Sequence, residues 1–325
     1  MTHYRNPVID HDFPDPSPLR ASDGYYAYSS QHTTTERWAH VPVARSVNLI
    51  DWQLLGDAMP ERPAWSAKRW EFAWAPHVVE HGGRYVMFYS AMPDTATGMC
   101  IGVATAPHPR GPFVDIGQPI AGGPGFITID PMAFHDPVSG GWFLYWGGDY
   151  APIYVQELEA SLLRMVAGTT PLEVLYPDTG APYERLVEGA FLHYRDGWYY
   201  LFYSGDDFGG DPPNYAVLVA RSRTPRGPFE KLASATGRAS SAIVARSEHW
   251  DAPGHASLIV DQAGAEWLVY HAIDPRRRWQ ATVRFVRRPM LIDRLDWVDG
   301  WPRVATGSPS FRRRPGPMLE KLKRR

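Results

Sequence analysis

Along this chain, short apolar and aromatic runs alternate with polar turns. A glycine followed by such a run recurs five times, in "DGYYAYSS", "GGRYVMFYS", "GGWFLYWGG", "DGWYYLFYS" and "GAEWLVYHA". The anchor glycines are Gly24, Gly83, Gly141, Gly197 and Gly264, separated by 59, 58, 56 and 67 residues. Each run has strand composition and follows a tight-turn signal. A second feature follows in register: a strand beginning at Val43, Val103 or Val219, a turn, and a short strand carrying Trp52, Phe113 or Phe229. Fainter versions lie near Val155 and Val283. One unit of roughly 60 residues and about four antiparallel strands therefore repeats through the chain. Repeated four-stranded sheets around an axis make a β-propeller. The predicted fold is all-β, a five-bladed β-propeller filling residues 1–325 as one domain. A β-sandwich with incidental hairpins would not keep this spacing. Glycine and proline interrupt nearly every window long enough for a helix. The best helix candidate is "VQELEASLLRMVAG", residues 155 to 168.

The register predicts which residues meet. In a propeller the innermost strand of each blade lines a central channel, and here it should be the strand before each glycine turn. Counting nine residues back from the anchors gives Asp15, Trp74, Glu188 and His255. The third hairpin is longer, and eleven residues back from Gly141 lies Asp130; an offset of two keeps the same strand face. These five residues should converge at one mouth of the axis. Taken singly, each has a plainer explanation: Asp15 and Asp130 as turn residues before proline, Glu188 as a solvated strand end, His255 as a bonded structural histidine, Trp74 as core. Together they are three carboxylic acids, a histidine and a tryptophan at matched positions. Packing gives no reason to crowd like charges, which costs energy and shifts pKa values; acid–base chemistry does. Asp15 is also bracketed by Pro14, Pro16 and Pro18, which stiffen the backbone around it.

Composition sharpens this picture. The 13 Trp, 17 Tyr and 13 Phe, with 29 Gly and 31 Pro, suit a turn-rich β protein and one that stacks on flat ligands such as sugars. A formal net charge of −2 gives no reason to expect a nucleic-acid partner; the basic run from Arg312 to Arg325 is expected to be a solvated tail. Cys100 is the only cysteine, so no intrachain disulfide forms. The opening "MTHYRNPVID" lacks a basic region followed by an apolar run, and no stretch has the length of a membrane span. The expectation is a cytoplasmic protein without a membrane partner.

In order along the chain, "NPVIDHDFPDPS", "FAWAPHV", "IDP", "VEGAF", "PGHAS", "VYHA" and "RPMLIDRLDWVDGWP" resemble glycoside hydrolase family 43, five-bladed propeller enzymes acting on arabinan, arabinoxylan and xylan side chains. Each motif is weak alone; the ordered set, covering nearly the whole chain, is specific. The resemblance implies an inverting mechanism in which Asp15 is the general base, Glu188 the general acid, and Asp130 holds the acid in place and keeps its pKa raised. It implies substrate contacts from Phe13 and Trp74 by stacking, from His271, and from Arg288, nine residues before Trp297, with Arg287 as the adjacent alternative. His255 resembles the family's axial histidine, which faces a structural calcium ion through waters; the chemistry itself requires no cofactor. The family's longer β-xylosidases carry a second domain after "DGWP", where this chain soon ends, so removal of L-arabinofuranosyl units from arabinan or arabinoxylan oligosaccharides is the expected activity. The Trp-rich segment "MPERPAWSAKRWEFAW" is expected to wall one end of the site and make it exo-acting. β-Xylosidase and endo-arabinanase remain alternatives within the family. A non-catalytic sugar-binding propeller is the alternative of another class, and the presence of all three carboxylates weighs against it.

Overall fold

The computed structural model describes residues 2–33, 38–66, 72–93, 98–280 and 285–318. Five antiparallel sheets are arranged in a ring, a five-bladed β-propeller. Each blade is contiguous in the chain. The innermost strands are Ser17–Ala21, Phe72–His81, Met132–His135, Val187–Arg195 and Asp251–Val260, and each contacts the innermost strands of the blades on either side. The second strands are Gly24–Tyr28, Arg84–Ala91, Trp142–Trp146, Trp198–Asp207 and Glu266–Ile273. They contain the five aromatic runs.

Those runs are apolar throughout because a blade is buried on both faces, and alternate residues serve opposite cores. In blade 1, Tyr26 and Tyr28 pack with Met87 and Tyr89 of blade 2, while Tyr25 and Ala27 pack with Trp267 and Val269 of blade 5. In blade 4, Tyr199, Leu201 and Tyr203 face blade 3, and Tyr200 and Phe202 face blade 5. Blades 2 and 3 share a fifth such core around Phe88, Leu144 and Trp146. The third strands, Pro42–Ser46, Cys100–Ala106, Ile153–Leu158, Asn214–Ser222 and Met290–Val298, include Val43, Val103, Val155 and Val219. Val283 lies outside the described residues.

The helix candidate at 155–168 is not helical. Its first residues form the strand ending at Leu158, and the chain then turns, with Leu162 in the left-handed region (φ 64°). Its apolar spacing arises because Leu158 and Leu162 fill the core between blades 2 and 3 while Val155 faces the core between blades 3 and 4. Among the described residues the one α-helix is Leu232–Thr236, closed by Gly237 at φ 72°. No helix among them is long and apolar enough to cross a membrane.

The ring is closed by the chain's two ends. His3–Tyr4 pairs with Arg314–Pro315, and a buried polar network ties both to blade 5. Asn6 donates to the Ile292 carbonyl (2.9 Å), Asp293 Oδ2 (3.2 Å) and Ser310 Oγ (3.0 Å), and accepts from the Ile292 N–H (3.0 Å). Tyr4 and Tyr270 both donate to Asp293, at 2.8 and 2.6 Å.

Candidate active site

At one end of the channel every innermost strand, or the segment leading into it, carries a residue in the left-handed region: Asp15, Ala75, Asp130, Gly189 and His255, at φ 53°, 44°, 59°, 61° and 51°. The sequence register was one residue off in two blades. The hairpins pair Ala21 with Gly24, His81 with Arg84 and Arg195 with Trp198, so Gly24 opens its strand whereas Gly83 and Gly197 are the last turn residues. Counted from the first strand residue, the common offset is 24−15 = 84−75 = 198−189 = 9. Trp74 and Glu188 stand one position before the left-handed residue; Glu188 still lies close enough to Asp15 and Asp130 for their charges to act on one another.

A second repeat supports this ring. In three blades a serine at the end of the second strand accepts the N–H of the left-handed residue in the next blade: Ser30 from Ala75 (2.7 Å), Ser90 from Asp130 (3.0 Å) and Ser204 from His255 (2.7 Å). In blade 5 the equivalent residue is His271, whose Nδ1 accepts the Asp15 N–H at 3.1 Å. The N–H of Gly189 goes to Asp130 Oδ2 at 3.0 Å. The serines were visible in the repeated "YS" ending, but their role depends on which blades touch.

These contacts bring Asp15 and Asp130 to either side of His255, whose Nδ1 lies 3.5 Å from Asp15 Oδ1 and 3.7 Å from Asp130 Oδ2, with Glu188 near enough to interact with both carboxyls. Arg288 Nη1 donates to Asp15 Oδ1 at 3.0 Å, and Ser30 Oγ donates to Asp15 Oδ2 at 2.5 Å. Burial alone would raise the Asp15 pKa, but the Arg288 guanidinium, His255 and His271 hold it well below the usual carboxylate range. Glu188 is pushed up to about 7, first by burial and then by the Asp15 charge, against the pull of Tyr215, which donates to its Oε1 at 2.6 Å. Asp130 is raised by burial and by the charges of Glu188 and Asp15. Asp130 and Glu188 repel each other, so the two do not readily ionise together.

Arg288, not Arg287, reaches Asp15; Arg287 Nη2 turns outward to Asp10 at 2.5 Å. Asp12 fixes this choice by accepting the Arg288 N–H at 2.8 Å and the Gln280 amide at 2.8 Å. Two expected substrate contacts are corrected. Phe13 is 0% exposed, packed with Tyr25 and Trp267 in the core between blades 1 and 5, in the irregular segment before the first innermost strand, where its N–H donates to the Arg288 carbonyl at 3.0 Å. His271 is also 0% exposed and lies beneath Asp15 as the counterpart of the serines. Trp74 is half-buried and stacks on Phe126, with ring centroids 6.0 Å apart and planes 9° from parallel. Phe126, 42% exposed, had no counterpart in the repeats and was missed. Tyr215 was missed as well, since its partner Glu188 lies 27 positions away in the chain. In the Trp-rich segment, Trp65 packs on Tyr89 and donates to Asp115 at 3.0 Å, and residues 67–71, with Trp70, lie outside the described residues.

Around His255 the carboxylates of Asp15 and Asp130 approach its Nδ1 at 3.5 and 3.7 Å, and a calcium ion facing it would need water to complete its shell. Calcium takes six to eight oxygen ligands at about 2.3–2.6 Å. A cavity opens here, lined by Asp15, Asp130 and His255 together with Ser17, His77 and Ser257. Among the described residues no three His, Cys, Asp or Glu side chains are placed to share a metal.

The profile of the glycosyl hydrolases family 43 matches residues 4–302. The chain belongs to this family. It is 28% identical, over 88% of its own length and 89% of the relative's, to arabinan endo-1,5-alpha-L-arabinosidase C of Emericella nidulans. It is 27% identical to a putative beta-xylosidase of Escherichia coli over 93% of this chain but only 57% of that one. A thermostable family-43 glycoside hydrolase of known crystal structure superposes with a TM-score of 0.79 at 27% identity, over 97% of this chain and 99% of that one. The protein is accordingly a glycosidase of the arabinanase and xylosidase kind.

Proposed function

We propose that this family 43 enzyme is an inverting hydrolase that removes L-arabinofuranosyl units from the ends of arabinan or arabinoxylan oligosaccharides. The observation that carries the mechanism is the opposite tuning of two carboxyls in one mouth: Asp15 held well below its usual pKa and Glu188 raised to about 7. Near neutral pH Asp15 is ionised and accepts a proton from a water; Glu188 keeps its proton and gives it to the glycosidic oxygen. The bond from the anomeric carbon to that oxygen breaks, the water oxygen bonds to the same carbon from the opposite face, and the leaving chain departs as an alcohol. Asp15 ends protonated and Glu188 ionised, and exchange with solvent resets both. Arg288, bonded to Asp15, orients the base; the stacked Trp74 and Phe126 offer an apolar face to the sugar. Nothing in this sequence of steps needs a metal.

Endo-arabinanase activity is the second reading. It is favoured by the near end-to-end match to an endo-acting relative, whereas the chain spans little more than half of the β-xylosidase relative. Product analysis on linear arabinan separates them. Monosaccharide from the first minutes supports release from chain ends; mixed oligomers without monosaccharide would establish the endo mode.

A further inference from the structure

Tyr215 and His271 are buried at the floor of the site, and the steps above use neither. Tyr215 lies in the third strand of blade 4 and His271 in the second strand of blade 5. Their rings are stacked, with centroids 6.0 Å apart and planes 3° from parallel, and Phe208 meets both edge-on. Tyr215 is 1% and His271 0% exposed. At one end of the stack the Tyr215 hydroxyl donates to Glu188 Oε1 at 2.6 Å. At the other, His271 Nδ1 accepts the Asp15 N–H at 3.1 Å.

Histidine at position 271 is not required merely to hold that N–H. Three other blades do the same with Ser30, Ser90 and Ser204. Serine would be the less costly choice, because His271 Nε2 is buried with no hydrogen-bond partner among the described residues, and an unmet buried polar group is destabilising. What the imidazole adds is a flat face long enough to reach the Tyr215 ring. The backbone makes room on the other side: a Cβ on Gly254, the residue paired with His271, would stand 2.0 Å from that ring. Burial, with the neighbouring Glu188 and Asp130 charges, keeps the Tyr215 hydroxyl protonated, so it acts only as a donor to Glu188.

We propose that Tyr215 and His271 are a pair of positioning residues: the His271 ring replaces the serine of the other blades in order to hold Tyr215, and Tyr215 aims the Glu188 carboxyl at the leaving oxygen. The pair thereby spans the two reacting carboxyls, taking the backbone of Asp15 at one end and the side chain of Glu188 at the other. The proposal rests on Glu188 being the proton donor.

The test compares two substrates that differ in their need for an acid. One is an arabino-oligosaccharide, whose leaving group is a sugar alcohol; the other is an aryl α-L-arabinofuranoside with an acidic phenol. Tyr215→Phe keeps the ring and removes only the hydroxyl. His271→Ser restores the residue of the other blades, and His271→Asn keeps an acceptor for the Asp15 N–H without the ring, should the serine variant fail to fold. Tyr215→Phe is expected to lose about 10–100-fold in kcat on the oligosaccharide, within the range of one acid–base group, and only a few-fold on the aryl glycoside, with KM little changed; each His271 variant, whose native Nδ1 also lies 3.3 Å from Asp15 Oδ1, should lose on both substrates but more on the oligosaccharide. The Tyr215→Phe, His271→Ser double variant should be no worse than the poorer single one, since both act through Glu188. Equal losses on the two substrates, a wild-type His271→Ser, or losses that multiply would each overturn the proposal. Glu188→Ala is measured alongside. If that variant also loses equally on both substrates, it is the assignment of Glu188 as acid that fails, and the pair's role falls with it.

Discussion

Asp15 and Glu188 share one mouth, yet their surroundings drive them to opposite charge states. Asp15 meets Arg288 at 3.0 Å and Ser30 at 2.5 Å; Glu188 meets a neutral phenol and the repulsion of Asp15. The sign of the pH dependence follows. The acid must be protonated, so kcat/KM should fall as pH rises through about 7, the value to which Glu188 is raised. The base must be ionised, and its pKa is depressed, so the acidic limb should lie well below the ordinary carboxylate range. A pH–rate profile checks both limbs. The same shift bears on stability. A carboxyl raised from 4.5 to about 7 on folding contributes stability that is full below pH 4.5 and is lost as pH climbs to about 7. Glu188→Gln should therefore melt higher than the wild type at pH 8, and the difference should vanish near pH 4; thermal melts at the two pH values check it. Arg288→Lys keeps the charge but loses the planar fork. It should cost about 10-fold or more in kcat/KM on oligosaccharide and aryl glycoside alike, because it disturbs the base and not the acid.

At the scale of strands and turns, the left-handed residue in or just before each innermost strand is what aims the site. It needs a partner for its N–H, which a serine of the neighbouring blade supplies in three cases, His271 in a fourth and Asp130 in the fifth. Ser30 carries the heaviest duty, since its hydroxyl accepts from Ala75 and donates to Asp15. Ser30→Ala should lower kcat/KM about 10-fold on both substrate types, the scale of one hydrogen bond to a charged group, whereas Ser90→Ala, which removes only an acceptor for a backbone N–H, should lose mainly stability. Steady-state kinetics and thermal melts on the pair separate the two effects. How much of this was legible in the sequence follows from the same geometry. The aromatic runs announced the blades because both faces of each sheet are buried, and Asp15, Asp130 and His255 fell on the counted positions. Trp74 and Glu188 came out in the wrong register class, because Gly24 begins a strand while Gly83 and Gly197 end a turn. Tyr215 and Phe126 were hidden, because their partners come from different strands and loops. Phe13 and His271 misled, because adjacency in a motif says nothing about which side chains face the cavity.

For the whole molecule, contiguous blades mean that, among the described residues, none of the five blade sheets is completed by strands from both ends of the chain. Closure rests instead on the short pairing of His3–Tyr4 with Arg314–Pro315 and on the network of Asn6, Tyr4, Tyr270 and Ser310 around Asp293. Asn6→Ala would strand several buried partners at once and should destabilise the fold by about 2–4 kcal/mol, given 1–3 kcal/mol for each unmet buried group; chemical denaturation measures it. The closed ring in turn keeps the innermost strands of blades 1, 3, 4 and 5 in contact with their neighbours, and so holds Asp15, Asp130, Glu188 and His255 around one mouth. The central claim is that this ring presents an ionised base and a protonated acid to a single water and a single glycosidic bond. The most direct measurement is the anomeric form of the first sugar released from an aryl α-L-arabinofuranoside, followed by proton NMR before mutarotation. Release of the β-anomer is the result predicted. The α-anomer, or no hydrolysis of arabinofuranosyl and xylosyl glycosides alike, would contradict it.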